Sequence, residues 1–193
     1  MTGTLDLAHS TRQYPADTVE MRVLADGRPL LLRPLASKDA RLLQDFVHDL
    51  SPQSRYQRFQ GGLNDLAPDL LARLMDIDYR RSMVFAAVVF EHGTRRMIGE
   101  ARYAPALDGS GAAEFALAVS DRWQGQGLGT ALFDKLLQHA ERSGVARIQG
   151  DVLHNNNGML HLAKQFGFVP RRHPDGAWLT RVERGLGSFA IAA

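Results

Sequence analysis

The chain has 193 residues, 45% of them hydrophobic, enough to bury a substantial core in one domain, with no room expected for a second. Lysine plus arginine exceed aspartate plus glutamate only by 23 to 21, and no stretch interleaves basic with aromatic residues, so no nucleic-acid partner is expected. The absence of cysteine excludes disulfides, thiolate metal sites and a cysteine nucleophile.

In chain order, Met1 to about Thr18 mixes Thr, Ser, Asp, Gly and Pro15 without a period and reads as a loose arm. The division expected is an arm over residues 1–20, a single domain over 21–185 and an apolar tail over 186–193. The start lacks the charged and apolar regions of a signal peptide, and no apolar run reaches the ~20 residues of a spanning helix. A cytoplasmic enzyme with no membrane partner is therefore expected. Seven histidines raise the question of a metal, but His139, His154, His161 and His173 show neither H-E-x-x-H nor a suitable carboxylate spacing, and none is expected.

Met21–Leu24 and Leu30–Arg33 flank Asp26-Gly27, a dipeptide that accepts the positive φ of a tight hairpin turn. Ser37 is the expected cap of a helix carrying Leu42, Leu43, Phe46 and Leu50 at helical spacing. Ser51-Pro52 starts a second helix that presents Arg55, Tyr56, Arg58 and Phe59 and breaks at Gly61-Gly62. Two readings of that helix stand: aromatic core with a solvated arginine face, or an arginine turned to a substrate. Pro68 opens a third helix with Leu70, Leu71, Leu74 and Met75 facing inward. Met83–Phe90 and Met97–Tyr103 are apolar runs of strand length joined through Gly93, and Ala113–Val119 is a further strand. Helix, strand (Ala146–Leu153), an asparagine turn at 155–157, another helix and a final strand at Trp178–Glu183 follow. The last should close the far edge. Together these elements argue a mixed α/β sheet.

The stretch Val119–Leu132 gathers a strand end, a turn and three alternating glycines leading into a helix. Such glycines let backbone approach a ligand, and the free N–H groups of a helix's first turn favour an anion. A Walker loop is excluded because Thr130-Ala131 follows Gly129 where Gly-Lys-Ser/Thr is required. The G-x-G-x-x-G fingerprint fails as well, since Thr130 and Leu132 occupy its final glycine in either register.

What remains, Gln124-Gly-Gln-Gly-Leu-Gly129, resembles the Q/R-x-x-G-x-G/A pyrophosphate loop of the GNAT superfamily of acyl-CoA-dependent N-acetyltransferases. The flanking order agrees over roughly residues 30 to 182, closing with Asn156 and Gly167-Phe168. Leu50–Phe59, Ile77-Asp-Tyr79 and Ala113-Glu-Phe115 are similar to the acetyltransferase domain of Pat-type bacterial protein lysine acetyltransferases. The resemblance implies a GNAT fold, a mostly antiparallel central sheet with a splayed strand pair, flanked by helices. It also implies acetyl-CoA as co-substrate and an amine acceptor, a protein lysine such as one on an acyl-CoA synthetase, with a small-molecule amine or a non-catalytic acyl-CoA-binding role as the alternatives.

By that resemblance the backbone of Leu117 and Val119, with Ala118 beside them, meets the pantetheine arm. Gln124, Gly125, Gln126, Gly127, Leu128, Gly129 and Thr130 wrap the pyrophosphate, and Asn156 bonds the cofactor arm or caps the following helix. Glu114 is the implied general base. Its own residues agree: a carboxylate in an apolar strand is costly to bury, and alternation places it on the face of the small Ala116 and Ala118. The competing reading is a structural glutamate paired with an arginine. A lysine ammonium near pKa ~10.4 needs such a base. The chain departs from the family at Ala163, where many members carry a tyrosine general acid. That leaves water, Tyr56, Tyr79 or Tyr103 to protonate the leaving thiolate.

Overall fold

The apolar run beginning at Met83 becomes β3 (Met83–Glu91), the most enclosed strand of the computed structural model, which describes residues 12–187 apart from residue 25. Met83, Phe85, Ala87 and Val89 join one core layer and Val84, Ala86 and Val88 the other, because successive strand side chains point to opposite faces. Both faces are covered by helices, so β3 needs no polar alternation.

Around it the sheet runs β1 (Glu20–Val23), β2 (Pro29–Pro34), β3, β4 (Thr94–Pro105), β5 (Ala113–Val119), β6 (Arg147–Leu153), β8 (Leu179–Gly185), β7 (Val169–Arg172). Every neighbouring pair is antiparallel except β5 and β6. This is the mixed, mostly antiparallel sheet expected. The β1–β2 turn uses Gly27 at φ 85°, and the β3–β4 turn uses His92 and Gly93 at φ 49° and 77°. One side of the sheet carries α1 (Ala40–Asp49), α2 (Pro52–Phe59) and α3 (Pro68–Met75); the other carries α4 (Leu128–Arg142) and α5 (Asn157–Gln165).

Several local expectations are corrected. Ser37 does not cap α1; residues 37–39 form a 3₁₀ turn, and the Asp39 carboxylate accepts from the Ala36 amide and from Arg33. The α2 helix does begin with the Ser51 hydroxyl accepting from Ser54 N–H, but it ends at Gln60, held at φ 54°, one residue before the glycines. Trp178–Glu183 does not form the edge, because β8 lies between β6 and a strand absent from the sequence reading, β7. Residues 12–18 of the expected arm lie against the fold: Tyr14 donates to the Pro34 carbonyl and meets the Tyr79 ring edge-on, and Arg12 pairs with Asp76. Residues 1–11 and the tail Phe189–Ala193 lie outside the described residues.

One irregularity positions the site. Ala87 pairs with Gly99 and Val88 with Met97, so Ile98 is an extra residue in β4. The bulge turns both Ile98 and Gly99 toward α4, where a Cβ on Gly99 would stand 2.9 Å from Leu132. Beyond it the alternation is inverted. Glu100 and Arg102 are thereby turned to the α2 side, opposite Ala118 and Ala116 of β5.

Candidate active site

The parallel pairing of β5 with β6 holds only at Ala113↔Ile148 and Glu114↔Gln149, after which the strands part. Phe115 sits at the fork. Its ring packs against Phe133 and Phe168, centroids 4.9 and 5.2 Å away, and leaves no room for a side chain at Gly150. Ser120 N–H donates to the Ile98 carbonyl in β4, so alternation turns residues 118 and 116 toward β4 and residues 119 and 117 toward the gap. The gap opens into a cavity of about 490 Å³ lined by α2, β5, β6, the glycine loop and the start of α5.

The loop is poised for an anion. Gly125 and Gly127 adopt φ 73° and 77°, and Gly127 is the residue preceding α4. Among the described residues, no amide from 125 to 130 donates to a protein acceptor, while Ala131 returns to the Gly127 carbonyl as the first helical bond. Two of the groups expected to meet the cofactor also have protein partners. Gln124 N–H already donates to Asp121, and the Gln124 side chain donates to the Val119 carbonyl (3.0 Å) and Ser54 hydroxyl (3.3 Å). Gln124 therefore braces the loop against β5 and α2, and the Val119 carbonyl already accepts one hydrogen bond from it. The Leu117 N–H and carbonyl and the Val119 N–H remain on the gap. Gln126 turns its side chain to the Arg122 carbonyl; Leu128 is buried, and Gly129 lines the cavity beside Leu117 and Leu162. Thr130 lies in the first turn of α4. Asn156 both lines the cavity and caps α5, its side-chain oxygen accepting from Met159 N–H at 3.1 Å.

Glu114 lines the cavity on the face of Ala116 and Ala118, as strand alternation required. Desolvation raises its carboxyl above the ordinary range, with repulsion from Asp151 and Asp108 in the same direction and Arg181 and Arg58 opposing. Asp151 is held charged by its donors. Arg181 reaches it at 2.8 and 2.9 Å and buried His173 at 2.9 Å through Nε2. Since Asp175 N–H donates to His173 Nδ1, that imidazole presents its proton to Asp151. Gln60 spans the cleft from α2 to the Asp151 carbonyl at 2.7 Å.

The sequence reading missed the charge cluster on the α2 wall. Arg58 and Arg102 each grip one oxygen of Glu100, whose side chain is 1% exposed. Tyr56 is exposed and Arg58 buried, so the reading of aromatic core with solvated arginines is overturned for these two residues. The sequence signal was a carboxylate inside an apolar strand, as at Glu114; its partner stands 42 residues earlier. Neither Tyr79 nor Tyr103 reaches the cavity: their hydroxyls bond the Leu35 and Arg80 carbonyls, and Tyr56 is not among the lining residues. Ala163 is packed in the core.

A sheet that forks beside an amide-lined glycine loop, with a carboxylate facing the cleft, is the architecture of an acyl-CoA-dependent acyltransferase. The acetyltransferase (GNAT) family model matches residues 44–168. An acetyltransferase of Pseudomonas aeruginosa is 40% identical over 152 residues, 79% of this chain and 81% of that one. The acetyltransferase Pat of Mycolicibacterium smegmatis is 29% identical over 157 residues, 81% of this chain and 46% of the longer relative. The crystal structure of the GNAT domain of S. lividans PAT superposes with a TM-score of 0.78 at 28% identity, covering 90% of this chain and all of that one. The chain belongs to the acetyltransferase (GNAT) family and is an N-acetyltransferase. Among the described residues no helix is long and apolar enough to cross a membrane.

Proposed function

We propose that the chain moves an acetyl group from acetyl-CoA to the side-chain amine of a protein lysine in the cytoplasm, with Glu114 as general base. The observation that carries the reading is Glu114 itself, a carboxylate of raised pKa on the cavity face of the strand whose free edge would guide the thioester. The diphosphate would lie on the amides of residues 125–130, the pantetheine arm along Leu117 and Val119, beside Ala118, with Asn156 beyond. Glu114 takes a proton from the ammonium, the neutral amine attacks the acetyl carbon, and the carbon–sulfur bond breaks. Similarity to Pat-type enzymes supports a protein acceptor, such as an acyl-CoA synthetase. The carboxylates of Glu114, Asp151 and Asp108 favour a cationic one.

The test is acetyl transfer from acetyl-CoA across a panel of lysine-bearing proteins and small amines, with Glu114→Gln alongside. General-base catalysis of this kind contributes roughly 10²–10⁴-fold, so Glu114→Gln should lose turnover on that scale while keeping CoA affinity. Transfer only to small amines would reassign the acceptor. Undiminished turnover in Glu114→Gln would remove the base, and a wild type that binds CoA without any transfer would leave a binding module.

A further inference from the structure

Of the residues lining the cleft, Arg58 alone is basic. It and Arg102 face one carboxylate, so the wall carries a net positive charge beside Ala116 and Ala118. The two arginines differ in one respect. Arg102 commits all three nitrogens to protein: Nε and Nη2 to Glu100, and Nη1 to the Leu74 carbonyl at 3.0 Å. Arg58 commits Nε and Nη2 to Glu100, and among the described residues its Nη1 has no protein partner and is not one of the buried unpaired atoms, so it stays open to solvent. Arg58 and the small Ala116 and Ala118 line the same cavity, between α2 and the free edge of β5. An acyl thioester must cross this space if its diphosphate lies on residues 125–130 and its base is Glu114. Among the described residues no tyrosine lines that space, with Ala163 in the core and the hydroxyls of Tyr79 and Tyr103 bonded elsewhere.

We propose that Arg58 holds the departing CoA thiolate through Nη1, so that no protonated side chain is needed as an acid. This rests on the acetyl-transfer reading above. As the amine nitrogen bonds to the acetyl carbon, the carbon–sulfur pair leaves on sulfur beside the guanidinium. The proton that the attacking nitrogen sheds reaches that sulfur afterwards through water, giving the amide and the CoA thiol. Arg58 supplies charge and consumes nothing.

The experiment reads the thiol directly: the ultraviolet thiolate absorbance of CoA bound to the wild type and to Arg58→Met is followed against pH, with binding checked by calorimetry. An adjacent cation lowers an acid's pKa by roughly 1–3 units, so the bound thiol should titrate at least about tenfold more acidically in the wild type. Acetyl transfer by the variant should fall in kcat by roughly 10²-fold with KM for acetyl-CoA little changed. Should Arg58→Met fail to fold, Arg58→Lys serves, because one ammonium cannot both neutralise Glu100 and reach the cleft, and the bound thiol should again titrate higher. Equal thiol titration in wild type and variant, with CoA bound to both, overturns the inference and leaves the proposed function standing. A wild type that neither binds CoA nor transfers acetyl overturns both.

Discussion

Gly150→Ala tests the fork between β5 and β6 at the point where the strands separate. An ideal Cβ at position 150 lies 2.6 Å from two atoms of the Phe115 ring and 3.0 Å from a third. Carbon atoms are comfortable at roughly 3.5–4.0 Å, so about 1 Å of relief is required. The ring cannot retreat freely, since Phe133 and Phe168 stand against it. Overpacking of this kind costs about 1–3 kcal/mol. For a chain of this length that corresponds to a melting temperature lower by roughly 2–12 °C. Because the strain falls where the cleft begins, CoA affinity should fall as well. Thermal melting and calorimetry on Gly150→Ala, Phe115→Leu and the double variant complete the cycle, with a coupling of about 0.5–3 kcal/mol expected in favour of the double variant. A melt within a degree of wild type, or strictly additive variants, would refute the account of Phe115 as the wedge.

His139 carries an acid-sensitivity prediction. Buried between the Phe85 ring and the Tyr103 hydroxyl, it is pushed down to about 4 by desolvation first and by Arg142 next. The folded state thus disfavours the imidazolium. The stability this represents is intact above the ordinary value of 6.5 and is lost as pH falls from there toward 4, about 3 kcal/mol in all. Urea unfolding across that range should steepen with acid in the wild type and flatten in His139→Gln; parallel curves would remove His139 as the cause. Asp151→Asn should move the acid limb of the kcat/KM profile to lower pH, because the charge of Asp151 raises Glu114 and its loss also frees Arg181 to lower it. An unmoved or upward-shifted limb would show that Glu114 is not the titrating group.

The sequence announced what rests on local patterning and hid what rests on distant pairing. Asp26-Gly27, Ser51-Pro52 and the glycine loop each carry their conformational reason within a few residues, and each folds as read. The continuous apolar run Met83–Phe90 signalled a strand, and the strand proves to be covered on both faces. In contrast, β7 is a run of four exposed residues, Val-Pro-Arg-Arg, with no period to detect, and it reaches the sheet only because β8 returns beside it. Gln124 was legible as a loop residue, but its bonds to Val119 and Ser54 depend on α2 lying across β5. Glu100 could not be assigned a side of the sheet by alternation, since counting from Met97 without the bulge sends it toward α4.

That inverted count bears on the chemistry. Without the extra residue at Ile98, Glu100 and Arg102 would face the layer of Phe85 and Leu132, and Arg58 would lack the carboxylate that holds it in the α2 wall. With it, Glu100 occupies two nitrogens of Arg58, and Arg181 with His173 occupies Asp151. Each partner keeps its neighbour from collapsing onto the opposite charge across the cleft. Among the described residues Glu114 and the third nitrogen of Arg58 have no ion pair of their own, one at the end where a cationic amine would lose its proton and the other along the wall where the thioester would part. If Glu114 is the base and Arg58 the anion-holding group, both can stay free only if their attraction for each other is outcompeted nearby, and the bulge in β4 is what places that competitor, Glu100, within reach of Arg58.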